Sequence, residues 1–151
     1  MESSSLHGYE WGGYAIEGSI IRFALAEPSP VETSPVEVVF RDVEGYFFER
    51  NLPASVVLAV EEQPLADFLE RNEAHFAREA RWGWPRFWQG SAARTAEWLA
   101  VRRRHAWTVA TSHGLSGWIV AGGAAYHNAV RRSAGSPLAL AAWRTSSNWP
   151  R

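Results

Sequence analysis

Residues 36–50 read VEVVFRDVEGYFFER and carry the pattern on which the fold prediction depends. In the first half, Val36, Val38 and Phe40 recur at every second position, and this alternation is typical of a strand with one buried face. The aromatic run GYFFER follows at residues 45–50. The stretch therefore predicts a β-hairpin whose turn lies near residues 42–45.

Two neighbouring stretches extend this hairpin into a sheet. Residues 14–26, YAIEGSIIRFALA, alternate around Ile21 and Phe23 and predict one strand, while the valine-rich residues 55–62 predict another. The proline-rich segment 28–35 has no apolar period and predicts a loop. Because parallel neighbours would need crossover helices, four strands with short connections predict an antiparallel meander.

Helices are predicted over 64–80, 92–105 and 124–134. In the first, Pro64 suits the first turn and the apolar residues fall on one stripe. Ser91 can cap the second helix through its hydroxyl. Between the last two helices, residues 106–121 contain two short β-like runs on either side of HGL, which predict a hairpin of two more strands.

These elements predict an α+β fold in which an antiparallel sheet of about five or six strands is packed by two or three helices. The sheet would consist of the N-terminal meander plus the C-terminal hairpin. A length of 151 residues with 46% hydrophobic composition suits one domain. We expect a single domain over residues 1–151, with flexible ends near 1–12 and 136–151.

Composition excludes several kinds of site. Cysteine is absent, which rules out disulfides, a thiolate nucleophile and cysteine-ligated metal centres. No apolar run reaches the roughly 18 residues of a membrane span, and residues 1–13 lack the pattern of a secretory signal. All fifteen basic residues are arginine, a bias that a GC-rich bacterial genome would produce. We expect a bacterial, cytoplasmic protein that makes no membrane contact.

Charge is distributed unevenly along the chain. Residues 1–80 contain fifteen acidic residues and five arginines, a net charge of −10, whereas residues 81–151 contain ten arginines and Glu97 alone, a net charge of +9. The two halves can neutralise one another inside one domain, or the basic half can bind an anionic partner. The same polarity permits self-association, in which the acidic part of one copy meets the basic part of another.

The strongest candidate for catalysis is the stretch SHGLSGW, in which His113 precedes Ser116 by three residues. A nucleophile elbow needs glycine two positions on either side of the serine; Gly114 fits, but Trp118 occupies the second position. Gly114 and Gly117 beside small polar residues are also typical of a hairpin turn. We favour the turn, and His113 and Ser116 are weak catalytic candidates.

Neither a metal site nor a cofactor is indicated. The five histidines show neither HExxH nor i, i+4 spacing, and the chain has no phosphate-binding glycine loop. We therefore predict no metal ligands and no cofactor.

The basic half of the chain supplies the candidate binding residues. Exposed arginine beside aromatic rings can bind single-stranded nucleic acid by charge and stacking, and the same residue types anchor protein interfaces. The candidates are Trp84, Arg86, Trp88, Arg102, Arg103 and Arg104. Trp98, Trp107 and Trp118 lie in predicted regular elements and are expected in the core.

Three functions remain open from the sequence. The leading hypothesis is a non-enzymatic binding module that engages a protein partner through the loop 82–90 or the acidic sheet. The alternative is a binder of an anionic ligand or nucleic acid through the basic, tryptophan-rich half. The third is a small hydrolase that uses His113 and Ser116.

Overall fold

The computed structural model describes residues 6, 8–26, 35–49, 56–113 and 115–128, and these contain eight strands and two α-helices. The strands are β1 (Glu10–Glu17), β2 (Ile20–Ala26), β3 (Pro35–Arg41), β4 (Gly45–Glu49), β5 (Val57–Gln63), β6 (His105–Thr111), β7 (Ser116–Ala121) and β8 (Gly123–Asn128). The helices are α1 (Leu65–Glu79) and α2 (Ala92–Val101), and a short 3-10 turn at Ala80–Trp82 follows α1.

The strands form two antiparallel sheets of four strands each. The first sheet has the order β1-β2-β3-β8, and the second has the order β4-β7-β6-β5. The predicted α+β class and the antiparallel pairing are confirmed, but the prediction of one sheet with five or six strands is wrong. The reason is that the chain changes sheets twice, between β3 and β4 and between β7 and β8.

The predicted hairpin over residues 36–50 is therefore wrong in its pairing. β3 pairs with β2 and β8, whereas β4 pairs with β7. Between β3 and β4, Asp42 has a φ of +53°, and the amide of Val43 donates a hydrogen bond to the carbonyl oxygen of Ser19. The left-handed conformation at Asp42 directs the chain out of the first sheet instead of reversing it beside β3.

Residues 14–26 contain parts of two strands, where the sequence predicted one. β1 and β2 are joined by Gly18 and Ser19 and pair along their length. Gly18 has a φ of +57°, a conformation that two-residue hairpin turns require and that glycine adopts without steric cost. Apolar residues lie close to this turn on both sides, at Ile16 and Ile20, so the sequence predicted one strand.

Two described residues near the N-terminus, Leu6 and Trp11, are buried, and β1 begins at Glu10. Residues 1–5 and 7 lie outside the described residues, and the expected flexible end near residues 1–12 stays a prediction. The other expected flexible end, residues 136–151, lies outside the described residues.

The first two predicted helices are present with different ends. Phe68, Leu69 and Phe76 form the buried stripe of α1. Ser91 is the N-cap of α2, and its hydroxyl accepts a hydrogen bond from the amide of Arg94, as predicted for a cap. α2 ends at Val101 rather than at 105, because the chain turns through residues 102–104 before β6 begins. Within the described residues, no helix has the length and apolar character needed to span a bilayer.

The prediction of a third helix over residues 124–134 is wrong for residues 124–128. These residues belong to β8, which pairs with β3 from Arg41 opposite Gly123 to Val36 opposite Asn128. The alanine-rich sequence favours a helix by propensity, and pairing with the edge of β3 overrides that weak preference. Residues 129–134 lie outside the described part of the chain.

Two apolar layers hold the molecule together. Between the sheets, Phe40 of β3 meets Trp107 of β6 with ring centroids 5.4 Å apart. On the other face of the second sheet, Trp118 and Val120 pack against α1, α2 and the segment between them, which together form the helix layer. Trp107 and Trp118 are buried, as predicted. The second sheet is therefore a middle layer covered on both faces, which explains the nearly continuous burial of β7.

Strand β1 crosses the middle sheet from one edge to the other. Glu10 bridges to Val56, the residue just before β5, whereas the Tyr14 ring lies 4.9 Å from the ring of Phe48 in β4. β5 and β4 are opposite edges of a four-stranded sheet, roughly 14 Å apart, which is about the length of four strand residues. This crossing brings Tyr14 beside the edge of β4.

Candidate functional site

Strand β4 lies at the edge of the middle sheet. It pairs with β7 on one side, and no described residue pairs with its other side. Side chains alternate along a strand, so Tyr46 and Phe48 pack against the core between the sheets, whereas Phe47 faces the helix layer and contacts Trp84. An unpaired strand edge therefore lies between aromatic side chains of both faces.

A groove of about 650 Å³ follows this edge. Its lining includes the four consecutive β4 residues 45–48. Because consecutive side chains point to opposite faces, a groove that touches all four runs along the edge of the strand rather than over one face. We call it the edge groove, and its main side chains are Tyr14, Tyr46, Phe47, Phe48, Trp84 and Arg86.

The wall on the helix side is held in place by an aromatic cluster. Phe87 is buried with its ring perpendicular to that of Phe76, the centroids 5.6 Å apart. The ring of Trp84 lies 5.7 Å from Trp118 and 6.0 Å from Phe47. Trp84 is half-buried and its peptide bond to Pro85 is cis. The Trp84 ring thus belongs both to the core and to the wall of the groove.

The two charged residues of the edge groove differ in their pairing. Nε of Arg104 donates a hydrogen bond to Oε1 of Glu44 at 3.0 Å, which neutralises that carboxylate locally. Arg86 is exposed, and no described residue forms an ion pair or a side-chain hydrogen bond with it. The groove therefore carries one uncompensated positive charge.

Tyr14 contributes a neutral hydroxyl to the same groove. Burial raises the pKa of the Tyr14 phenol, and the neighbouring Tyr46 raises it further. At neutral pH the wall beside the first sheet is therefore aromatic and uncharged.

One ion pair and one histidine–carboxylate hydrogen bond join the acidic and basic halves of the chain. Arg104 pairs with Glu44, and Nδ1 of His105 lies 2.7 Å from Oε1 of Glu62. Each pair links a residue beyond position 80 to a carboxylate before it. Part of the opposite charge of the two halves is thus placed together within one molecule.

The predicted binding residues of the loop 82–90 are divided by the structure. Trp84 and Arg86 line the edge groove. Trp88 is half-buried, with its ring 5.7 Å from that of Phe76, and does not line the groove. Trp82, which the sequence analysis did not select, is 76% exposed and is the most exposed aromatic side chain in this loop.

The three consecutive arginines after α2 make separate contacts. The guanidinium of Arg102 lies 3.6 Å from the ring centroid of Trp98, and its Nη1 donates to the Trp98 carbonyl oxygen. Arg104 binds Glu44 and also donates to the carbonyl oxygen of Arg102 at 2.7 Å. Arg103 is exposed. Trp98, expected in the core, is half-buried beneath Arg102.

The stretch with the weak catalytic candidates connects two paired strands. β6 and β7 form the predicted hairpin, with Ala110 opposite Ser116. His113 and Ser116 are both exposed, and Nδ1 of His113 lies 2.9 Å from the hydroxyl of Ser112. Within the described residues, His113 has no hydrogen bond to Ser116 and no carboxylate partner. The structure thus places Ser112, not Ser116, beside the imidazole.

No candidate metal centre is found in the part of the chain that the structure describes. Its histidine, aspartate and glutamate side chains form no group of three or more that could hold a metal ion.

Most side chains of the edge groove were not predicted from the sequence as site residues. Tyr14, Tyr46, Phe47 and Phe48 had been treated only as strand residues. The available signal was the run YFF in residues 46–48, because it places aromatic rings on both faces of one strand. A half-exposed strand alternates with polar residues, so an aromatic run indicates contacts on both faces.

Comparison with known proteins gives no relative from which a function could be transferred. A scan of protein-family models, a search of curated proteins and a search of solved structures each return no match for this chain.

Proposed function

We propose that this chain is a non-enzymatic binding module that holds a protein partner in the edge groove. The observation that carries the proposal is an aromatic groove of about 650 Å³ along a strand edge that no described residue pairs with. This volume is within the range of ligand-binding clefts, about 300–1,000 Å³. We also propose that it acts in the bacterial cytoplasm, in keeping with its cysteine-free composition.

The side chains of the groove support a protein partner. Tyrosine, tryptophan and arginine are the residue types that contribute most to protein interfaces, and Tyr46, Trp84 and Arg86 lie together here. Phe47 is 36% exposed and Trp82 is 76% exposed, so apolar area remains to be covered beside the groove. Trp84 is already held by packing against Trp118, so its side chain loses little conformational entropy when a partner binds.

Selection from a display library of random dodecapeptides tests this proposal. The immobilised protein is the target, and selected peptides are then measured by fluorescence anisotropy against the wild type and Phe47→Glu. We expect that peptides will be enriched and that Phe47→Glu will weaken them about tenfold or more, because it puts a charge beside the apolar wall.

Two further variants control this experiment. Val101→Glu introduces the same charge at a position that is 83% exposed and outside the groove, and its affinity should equal that of the wild type. Phe47→Ser removes the ring without adding charge, and circular dichroism checks that each variant is folded. An empty selection, or peptides that bind Phe47→Glu and Phe47→Ser as tightly as the wild type, would overturn the proposal. Tight, salt-sensitive binding of a labelled oligothymidylate that displaces the peptides would overturn it in favour of nucleic acid.

A further inference from the structure

We propose that the occupant of the edge groove is an extended, acidic segment of polypeptide that adds to the middle sheet as a strand beside β4. This inference rests on the proposed function, because it names the kind of partner segment that the same groove binds. Main-chain hydrogen bonds to β4 would supply affinity, and the aromatic walls would select the side chains.

One side of the β4 backbone is not paired by any residue that the structure describes. Alternate residues of an edge strand direct their amide and carbonyl groups away from the sheet, and β4 has no described neighbour on that side. The groove extends over residues 45–48, about 13 Å of strand, which matches roughly four residues of an extended peptide. Its shape therefore follows the direction that an added strand would take.

Two of the other three edge strands, β1 and β5, are less suited to pairing than β4. β1 and β5 each contain an irregularity in register, between Trp11 and Gly13 and between Val57 and Ala59, and bulges of this kind discourage further pairing. Val56, just before β5, also bridges to Glu10 of β1. β4 pairs with β7 in unbroken register. Its edge is regular and lined by aromatic side chains, which suits it to accept another strand.

The two walls provide contacts for both faces of the added strand. An extended peptide places alternate side chains on opposite faces, and the groove has Tyr14 and Tyr46 on one side and Phe47 and Trp84 on the other. Apolar side chains of the peptide would therefore be covered on each face. This arrangement distinguishes an added strand from a helix, which would present one apolar face only.

The charged residues of the groove indicate that the bound segment is acidic. Glu44 is paired with Arg104, whereas Arg86 has no partner among the described residues. An aspartate or glutamate in the segment would pair with Arg86, whereas a basic residue there would be repelled.

The probe for this inference is the tightest dodecapeptide from the selection described above, together with versions methylated at one backbone nitrogen at a time. A methyl group removes one amide donor and keeps the sequence. We expect losses of about tenfold at alternate positions of the central segment and little change at the positions between them, because only alternate amides face β4. Hydrogen exchange of the β4 amides should slow when the unmodified peptide is bound.

The acidic character of the segment is tested with two arginine variants. Arg86→Gln should weaken the peptide about two- to fivefold at low salt and less at high salt, because the pair is exposed and screened. Arg94→Gln changes another exposed arginine, which does not line the groove, and should leave the affinity unchanged. Selected peptides should also be enriched in aspartate and glutamate.

The failure of this inference can be distinguished from the failure of the proposed function. In one outcome, the peptides need Phe47 for binding, yet tolerate methylation at every position and leave hydrogen exchange of β4 unchanged. That result would support the binding module and exclude strand addition. The inference that the segment is acidic would be overturned if the selected peptides are basic, or if Arg86→Gln leaves their affinity unchanged. Sedimentation showing a dimer that Phe47→Glu disrupts would identify a second copy of this chain as the occupant and would likewise overturn the inference.

Discussion

Replacing Gly117 by alanine should separate β4 from β7 and destabilise the protein. Gly117 lies opposite Phe48 in the pairing of these strands. A β-carbon on Gly117 would overlap the carbonyl oxygen of Phe47 and approach its carbonyl carbon and Cδ1 of Phe48 to 2.9 Å each. The first two atoms belong to the backbone, so the strands themselves must move.

The expected cost follows from this overlap. Inserting a methyl group into a tightly packed site typically costs about 1–3 kcal/mol, and rigid backbone places Gly117→Ala towards the upper end, about 2–3 kcal/mol. For a domain of this size, a loss of about 2–3 kcal/mol lowers Tm by roughly 4–12 °C. The matched control is Gly123→Ala in β8, where no atom lies within 4 Å of the added carbon. It should be neutral or stabilising by up to about 1 kcal/mol.

Urea unfolding monitored by tryptophan fluorescence, together with calorimetric melting, measures both variants. Gly117→Ala should also weaken selected peptides, although Gly117 is not in the lining of the groove, because β4 forms its floor. Equal stability of Gly117→Ala and Gly123→Ala would refute the close approach of the two strands. A destabilised Gly117→Ala with unchanged peptide affinity would refute the role of β4 as the floor.

Further substitutions test the packing and charges around the groove. Phe76→Ala empties the centre of the aromatic cluster and should cost about 3–5 kcal/mol in urea unfolding, whereas Phe47→Ala, at a partly exposed ring, should cost less than half as much. Arg104→Met leaves Glu44 without its partner and should cost about 1–2 kcal/mol. The raised pKa of Tyr14 means that the folded protein holds this proton more tightly than the unfolded chain does. Stability should therefore fall as pH rises from about 10 towards the raised value, and Tyr14→Phe should remove that part of the decline.

Local patterns in the sequence were sufficient to find most of the regular elements. The stripe of α1 and the cap at Ser91 depend on neighbours within a few residues, so they could be predicted. The pairing of strands depends on residues far apart. After the left-handed residue Asp42, β4 joins the other sheet. The alternation of apolar and polar residues along a strand is the same whichever sheet the strand joins.

The candidate site was harder to predict because its parts are distant in sequence. Tyr14, residues 45–48 and residues 83–86 meet only when β1 crosses the middle sheet and the segment after α1 folds against β4. Trp84 and Arg86 could be selected from composition, but the strand edge between them and Tyr14 could not. Gly117, predicted as a turn residue, lies inside β7, where it permits the close approach of β4.

The position of β8 has a consequence for synthesis of the chain. β8 completes the first sheet by pairing with β3, and the closest pair in sequence, Arg41 and Gly123, is separated by 82 positions. At ribosomal rates, about 4–16 s pass between the emergence of one partner and the other. Any early meander of β1, β2 and β3 therefore has an open, apolar border during translation, the kind of border through which nascent chains aggregate. The first sheet is thus vulnerable to misassembly until β8 has been made.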